Sequence, residues 1–133
     1  MKKGYKVNIE ELVNQNNTFR TVLYTGQYSQ LVMMSLMPQE DIGVETHENT
    51  DQFFRFESGE GKVVINDSEY EVHDGDVVIV PAGSQHNVIN TSATEPLKMY
   101  TLYSPAHHQD GIVHNTKQEA ETDTESFDGQ TSE

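Results

Sequence analysis

Residues 75–90 have the sequence GDVVIVPAGSQHNVIN, in which an apolar run, a tight turn and a second run follow one another. The apolar run, VVIV, consists of β-branched residues, which are typical of a buried strand. Pro81 ends this strand, and Gly83 can adopt the positive φ that a reversal of the chain requires. The second run opens with His86. We therefore predict two strands joined by a rigid turn that directs the His86 side chain into the space between them.

The alternation of apolar and polar residues that is typical of strands continues along most of the chain. Turn-forming residues interrupt it, for example at 66–68 (Asn-Asp-Ser), which predicts a tight hairpin. Many short strands with no helices between them favour a closed barrel or jelly roll over an open sheet. The predicted strands span residues 19–25, 30–37, 43–47, 52–57, 61–66, 69–73, 77–80, 86–90, 97–104 and 112–115.

The two ends of the chain differ from this all-β pattern. Residues 8–16 (NIEELVNQN) predict a short helix with Asn8 as its N-cap. Residues 118–133 contain six of the 22 acidic residues and no basic ones, a composition that predicts a flexible tail. Docking of Phe127 on the barrel or on a partner subunit is the alternative. The predicted organisation is an N-terminal flanking segment at 1–29, a barrel at 30–104, a histidine-containing extension at 105–117 and the acidic tail at 118–133.

Length and charge limit the classes of partner. The chain has 133 residues, enough for one domain with one core, and a formal net charge of −14. A negative surface repels phosphate groups, and the eight Lys and Arg residues are scattered, so we predict neither nucleic-acid nor membrane partners. The absence of cysteine excludes disulfides and thiolate metal ligands. No secretory leader or membrane-spanning run is apparent, which predicts a cytoplasmic protein.

The segment that contains His86 resembles a motif of the cupin superfamily. The pattern G-x5-P-x-G-x2-H-x3-N matches at every specified position from Gly75 to Asn90. The resemblance covers about residues 30–104 and is that of a small, single-domain cupin. It implies an all-β fold, a single double-stranded β-helix or jelly-roll barrel, here with a short N-terminal helix and an acidic C-terminal tail.

The other cupin motif, G-x5-H-x-H-x(3,4)-E-x6-G, is present in altered form. Gly59 aligns with its closing glycine, and Gln52 then takes the position of the glutamate. His47 takes the position of the second histidine and Glu45 that of the first, while the leading glycine is displaced. The resemblance implies four metal ligands: Glu45, His47, Gln52 and His86.

The residue types agree with this set of ligands. Glu45 and His47 are two residues apart on a predicted strand, so their side chains face the same way. Two imidazoles and two oxygen donors suit a divalent Mn, Fe, Ni, Co or Zn ion, and none of these donors is sulfur. His47 as a polar loop residue and Gln52 as a structural hydrogen-bonding residue are the alternatives.

The walls of the pocket follow from the same alternation. The strand that begins at Gln52 directs Phe54 and Phe56 inward with it, and Val88 and Asn90 share the face of His86. We expect these four residues to line the pocket, although simple barrel packing also explains the two phenylalanines.

A second group of histidines lies in residues 105–117. His107, His108 and His114 could close over the pocket or bind a second ion, and the alternative is a capping loop after the last barrel strand. Because His107 and His108 are adjacent, their side chains face opposite ways on an extended chain, which argues against joint chelation.

Two classes of function remain open. One is a metal-dependent enzyme, since oxygenases and sugar or keto-acid isomerases both occur among cupins. The other is a non-catalytic cupin that binds or senses a small molecule or a metal, which the neutral Gln52 favours. Both classes of function require a small-molecule ligand. The resemblance to cupins also implies a homodimer. No phosphate loop or nucleophile elbow indicates other chemistry.

Overall fold

A computed structural model of the chain describes residues 1–133 and contains ten strands and two short helices. All ten predicted strands are present, with ends within two residues of the predicted ones. The elements are α1 (Ile9–Gln15), β1 (Arg20–Thr25), β2 (Gln30–Leu36), β3 (Glu45–Thr46), β4 (Asp51–Ser58), β5 (Glu60–Ile65), β6 (Ser68–His73), β7 (Val77–Val80), β8 (Gln85–Asn90), β9 (Leu97–Ser104), β10 (Val113–His114) and α2 (Lys117–Thr122).

The strands form two antiparallel sheets, which confirms the predicted all-β double-stranded β-helix. One sheet has six strands in the order β10-β1-β2-β9-β4-β7, and the other has four in the order β3-β8-β5-β6. A single cluster of 15 buried apolar residues forms the core, with members from both sheets. The edge strands β10 and β3 are short, so each sheet presents little unpaired backbone there.

The inner face of the six-stranded sheet changes from apolar to polar along the strands. A central row of cross-strand partners is almost wholly apolar and consists of Val22, Val32, Thr101, Phe54 and Val78. A neighbouring row is mostly polar and consists of Thr25, Gln30, Tyr103, Gln52 and Val80. All members of both rows are buried. Buried polar side chains need hydrogen-bonding partners or ligands. The end of the barrel interior with the polar row therefore has the composition of a binding site, and the part with the apolar row has that of a hydrophobic core.

Helix α1 lies against β4 and β9 and confirms the predicted N-terminal helix. The side chain of Asn8 accepts a hydrogen bond from the Glu11 amide at 3.0 Å, so Asn8 is the N-cap. Val13 is the fully buried residue of the helix. Neither helix has the length and hydropathy that crossing a bilayer requires.

Gly59, the closing glycine of the altered motif, has a steric reason to be glycine. Its φ is +102°, and a Cβ atom there would lie 2.5 Å from the Pro96 carbonyl oxygen. Gly61 is equally restricted, because a Cβ would lie 2.6 Å from the Ile89 carbonyl oxygen. The chain therefore passes close to two neighbouring segments at the turn between β4 and β5.

The acidic tail has a defined path across the barrel. After α2, the Phe127 amide donates to the His107 carbonyl at 3.0 Å and the Ser132 amide donates to the Thr25 carbonyl at 2.9 Å. The Glu133 carboxylate accepts hydrogen bonds from two N-terminal amides and from the Tyr24 hydroxyl. These contacts correspond to the docking alternative, while the flexibility of the segment stays a prediction.

Candidate metal centre

Two of the predicted ligands are direct cross-strand neighbours. Glu45 in β3 pairs with His86 in β8, so both side chains start from the same point on the inner face of the four-stranded sheet. The pair lies at the edge of that sheet, because β3 is its terminal strand. A short edge strand of two residues is thus what places Glu45 beside His86.

His47 follows β3 directly and is fixed by its own backbone. Its carbonyl accepts a hydrogen bond from the Gly83 amide at 2.8 Å, which joins it to the Pro81–Gly83 turn that precedes His86. The two imidazole centroids are 5.2 Å apart, and both residues are buried, at 9% and 4% exposure. The turn that the sequence indicated therefore positions both histidines.

The donor atoms of Glu45, His47 and His86 converge. One donor atom from each lies within 4.8 Å of the other two. His47 Nε2 is 3.1 Å from Glu45 Oε2, yet it is buried and has no hydrogen bond of acceptable geometry. His86 Nδ1 is 3.0 Å from the Ser84 carbonyl oxygen, which can only accept, so Nδ1 carries the proton and Nε2 keeps a free lone pair. The His86 ring therefore has the form in which histidine binds metals.

The surroundings favour an ionised Glu45 carboxylate and a neutral His86 imidazole. Burial alone would raise the pKa of Glu45, but the neighbouring His47, Arg20 and His86 outweigh burial and hold this pKa below 4.5. Burial lowers the pKa of His86, against a smaller opposite effect of its hydrogen bond to Ser84. Deprotonated donors of this kind are the ones a cation requires.

Gln52 is buried in the polar row beside this group. Its Nε2 donates to Thr101 Oγ1 at 3.1 Å, whereas its Oε1 is buried without a partner. The amide nitrogen of Gln52 therefore makes a structural hydrogen bond, which was the alternative role expected from the sequence. The carbonyl oxygen is left free to accept a hydrogen bond or to approach a cation.

The structure brings a further histidine to the group. The His107 ring lies 4.1 Å from the His47 ring and 5.5 Å from the Tyr103 ring, measured between centroids. Burial lowers the pKa of His107 to about 4, so the ring is neutral at physiological pH. His107 thus packs against His47, and its closing over the pocket, one of the three alternatives that the sequence left open, stays a prediction.

His108 lies against His107, with ring centroids 4.8 Å apart, so the expectation that the two side chains face opposite ways is wrong, because these residues follow the end of β9 and are not in a strand. Its Nδ1 lies 2.7 Å from Glu125 Oε2, and its Nε2 lies 3.1 Å from the Tyr103 hydroxyl. Because the carboxylate can only accept, Nδ1 carries the proton and the Tyr103 hydroxyl donates to Nε2. A continuous hydrogen-bonded chain therefore runs from the tail to Tyr103, whose ring is 5.8 Å from that of His47.

His114 takes part in a similar arrangement on the other side of the barrel. Its Nε2 lies 2.9 Å from Asp123 Oδ2, and its Nδ1 lies 3.3 Å from Arg20 Nη1. The imidazole thus donates to the carboxylate and accepts from the guanidinium. His107 and His108 contact each other and Tyr103, whereas His114 contacts Arg20 and Asp123, and the three histidines form no second metal group.

Three residues of this region were not singled out from the sequence. Tyr103 and Arg20 could have been identified from the alternation of side chains. Tyr103 lies two residues from Thr101, and Arg20 lies two residues from Val22, so each shares the inward face of its strand with that residue. Glu125 gave no signal, because its contact with His108 depends on the path of the tail.

The four residues expected to line the pocket have structural contacts. Phe54, Phe56 and Val88 are fully buried in the hydrophobic core. The Asn90 amide donates to the carbonyls of Leu36, Met37 and Glu95. Their part in forming the pocket stays a prediction beside these packing roles.

Known proteins similar to this chain share its fold and most of its length. The family model described as "Cupin domain" matches residues 32–103. The crystal structure of BH2720 from Bacillus halodurans superposes with a TM-score of 0.89 at 40% identity, covering 91% of this chain and 96% of that one. No function is stated for BH2720 beyond its structure.

Two curated relatives are longer than this chain. The uncharacterised protein YrkC of Bacillus subtilis is 48% identical over 124 residues, covering 89% of this chain and 66% of YrkC. The uncharacterised protein L612 of Acanthamoeba polyphaga mimivirus is 41% identical over 112 residues, covering 82% of this chain and 70% of L612. The fold, the family model and these relatives agree. The chain belongs to the cupin family, as a small cupin of the type that the Cupin domain model describes.

Proposed function

We propose that this protein binds one divalent metal ion through Glu45, His47 and His86 and holds a small molecule in the same pocket. The main support is the convergence of the three donor atoms within 4.8 Å of one another. A carboxylate and two imidazoles leave coordination positions open for a ligand, as in other sites where a metal meets a substrate.

The unpaired atoms of the site fit a cation. His47 Nε2 is buried and lies 3.1 Å from Glu45 Oε2 without a well-formed hydrogen bond, and a metal would bind both of these atoms. The Nδ1–H of His86 is fixed by the Ser84 carbonyl, which is the outer contact typical of metal-binding histidines. The set of two imidazoles and one carboxylate suits Mn, Fe, Ni, Co or Zn.

Gln52 distinguishes this site from one with two carboxylates. Its free Oε1 can complete the coordination as a weak, neutral fourth ligand or bind a hydroxyl group of the small molecule. With Glu45 as the single anionic donor, a divalent ion keeps a positive charge and attracts an electron-rich ligand.

A catalytic role is the second candidate, and the Glu125–His108–Tyr103 chain favours it. A tyrosine hydroxyl that donates to a neutral imidazole can pass its proton to His108 as it accepts a proton from a bound ligand. The metal would supply Lewis-acid or redox chemistry of the oxygenase or isomerase kind. Tyr103→Phe would then abolish turnover and leave the metal content unchanged.

The oligomeric state, the cellular location and the classes of partner are part of the same proposal. A homodimer, a cytoplasmic location and the absence of nucleic-acid partners fit the family resemblance and the acidic charge. Light scattering at several protein concentrations tests the dimer.

Metal analysis tests the proposal directly. Protein purified without chelators, and protein stripped and reloaded with each of the five metals, should contain close to one ion per chain. Oxygen uptake and sugar or keto-acid isomerisation are then measured on the loaded protein. Stoichiometric metal with turnover supports an enzyme, and stoichiometric metal without turnover supports a binding protein. Protein that takes up none of the metals contradicts the proposal.

A further inference from the structure

The barrel contains a buried positive charge that takes part in no direct ion pair. Arg20 is 6% exposed and lies on the inner face of its sheet, in one cross-strand row with Met34, Met99 and Phe56. None of the ion pairs of the structure includes Arg20. Arginine keeps its charge in proteins, and this guanidinium acts on the carboxylates of Glu45 and Glu125 only at a distance, by lowering their pKa values.

The orientation of the guanidinium leaves one edge of it free. Its single hydrogen bond runs from Nη1 to His114 Nδ1, and Nε is buried with no partner. His114 is in turn fixed by Asp123, so Nη1 is held in place by a neutral imidazole. The free edge, made by Nε and Nη2, has the planar geometry that binds both oxygens of a carboxylate.

A cavity lies between Arg20 and Glu45. It measures about 110 Å³, and its polar lining consists of Arg20, Glu45, Lys117 and Glu121. Lys117 is already paired, at 2.5 Å with Asp41 Oδ1 and at 3.7 Å with Glu121. Arg20 is therefore the cation of the cavity that has no direct ion pair, and Glu45 belongs both to this cavity and to the proposed metal site.

We propose that Arg20 binds the carboxylate group of a small ligand in this cavity, beside the metal held by Glu45. The inference rests on the proposed function and adds the class of ligand, a small monocarboxylate or dicarboxylate. The volume admits only a few non-hydrogen atoms, and the nearby carboxylates of Glu45 and Glu121 disfavour a dianionic phosphate more than a single carboxylate.

The arginine side chains themselves provide the first measurement. The chain has only two arginines, Arg20 and Arg55, so the NMR spectrum contains two arginine Nε–H signals, which Arg55→Lys assigns. Addition of acetate to the metal-loaded protein should shift the Arg20 signal and leave that of Arg55 in place. The neutral analogue acetamide should shift neither.

Binding by variants provides the second measurement. Arg20→Gln should weaken acetate and malonate binding, measured by calorimetry, at least tenfold, with metal content unchanged. Arg55→Gln removes the same charge from a residue outside the cavity and should change binding less than threefold. Equal binding by wild type and Arg20→Gln, or equal shifts with acetate and acetamide, overturns the proposal.

The two proposals fail in different ways. Metal uptake without any carboxylate binding overturns the role of Arg20 and leaves the metal site intact. Arg20-dependent carboxylate binding by a chain that takes up no metal supports the role of Arg20 and overturns the metal site. Tighter binding of inorganic phosphate than of acetate assigns the cavity to phosphate and overturns the carboxylate class.

Discussion

Glu45 and His86 face each other across the β3–β8 ladder although 40 residues separate them in the sequence. Cross-strand partners on one face have Cβ atoms about 5 Å apart, so both side chains reach the same point. His47 is added to this pair by the hydrogen bond between its carbonyl and Gly83. Metal binding at this point therefore depends on the register of two short strands and on one turn.

His86→Ala and His47→Ala should each abolish stoichiometric metal binding, because two remaining donors hold a divalent ion only weakly. The measurement is metal content after dialysis against a metal-buffered solution. His73→Ala is the matched control, since the His73 side chain is 74% exposed and far from the site in the fold. Full metal content in His86→Ala would disprove the assignment of the ligands.

Gln52→Glu should raise metal affinity by about tenfold, because a second anionic donor strengthens the attraction to a divalent cation. Competition with a fluorescent chelator measures the change. Without metal, the same variant should be less stable than wild type, since a buried carboxylate would then lie close to Glu45. An unchanged affinity would mean that Gln52 Oε1 does not approach the ion.

The fold was predictable because its signals are local. Alternation set the ten strands, and the Pro81–Gly83 turn and the Asn8 cap had chemical causes visible in a few consecutive residues. The grouping of Glu45 and His47 with His86 needed one further element, the spacing of the cupin motifs. Short-range patterns and one motif together therefore predicted most of the barrel and the centre of its site.

The remaining contacts of the site depend on tertiary geometry. Glu125 reaches His108 only because the tail crosses the barrel, and acidic composition alone favours a solvated tail. Asn90 was expected in the pocket because it shares the inward face of β8 with His86. The alternation of side chains predicts which face a residue lies on, but not its position along the barrel axis. The Asn90 amide binds three carbonyls at the end of the strand opposite His86, and its part in the pocket stays a prediction.

Asn90→Ala should lower the free energy of unfolding by about 3 kcal/mol, because it removes a donor from the buried carbonyl of Leu36 and from the partly buried carbonyls of Met37 and Glu95. Asn90→Asp should cost at least as much, since it places an acceptor against the same carbonyls. Urea denaturation measures both changes. The exposed Asn115→Ala serves as control and should change stability by less than about 0.5 kcal/mol. A similar small change in Asn90→Ala would contradict the structural role.

The buried pair of His108 and Glu125 should make stability depend on pH. Burial lowers the pKa of His108 below 6.5, because it outweighs the hydrogen bond to Glu125. Burial alone would raise the pKa of Glu125, but hydrogen bonds from His108 and the Gln109 amide outweigh it and lower that pKa below 4.5. Tyr103 and Arg20 also face the pair, and Arg20 favours the neutral imidazole and the ionised carboxylate.

Both pKa values are lower in the folded protein, so the unfolded chain binds protons more readily and the stability contributed by both groups is lost as the pH falls. We expect the Tm to decrease once the pH is below 6.5, through His108, and again below 4.5, through Glu125. Glu125→Gln keeps an acceptor for His108 but removes the titrating carboxylate. Its Tm should therefore be lower than that of wild type at pH 7 and should approach it as the pH falls below 4.5 and the Glu125 carboxylate becomes protonated. A constant Tm difference across this pH range would show that the Glu125 charge does not contribute to the docking of the tail.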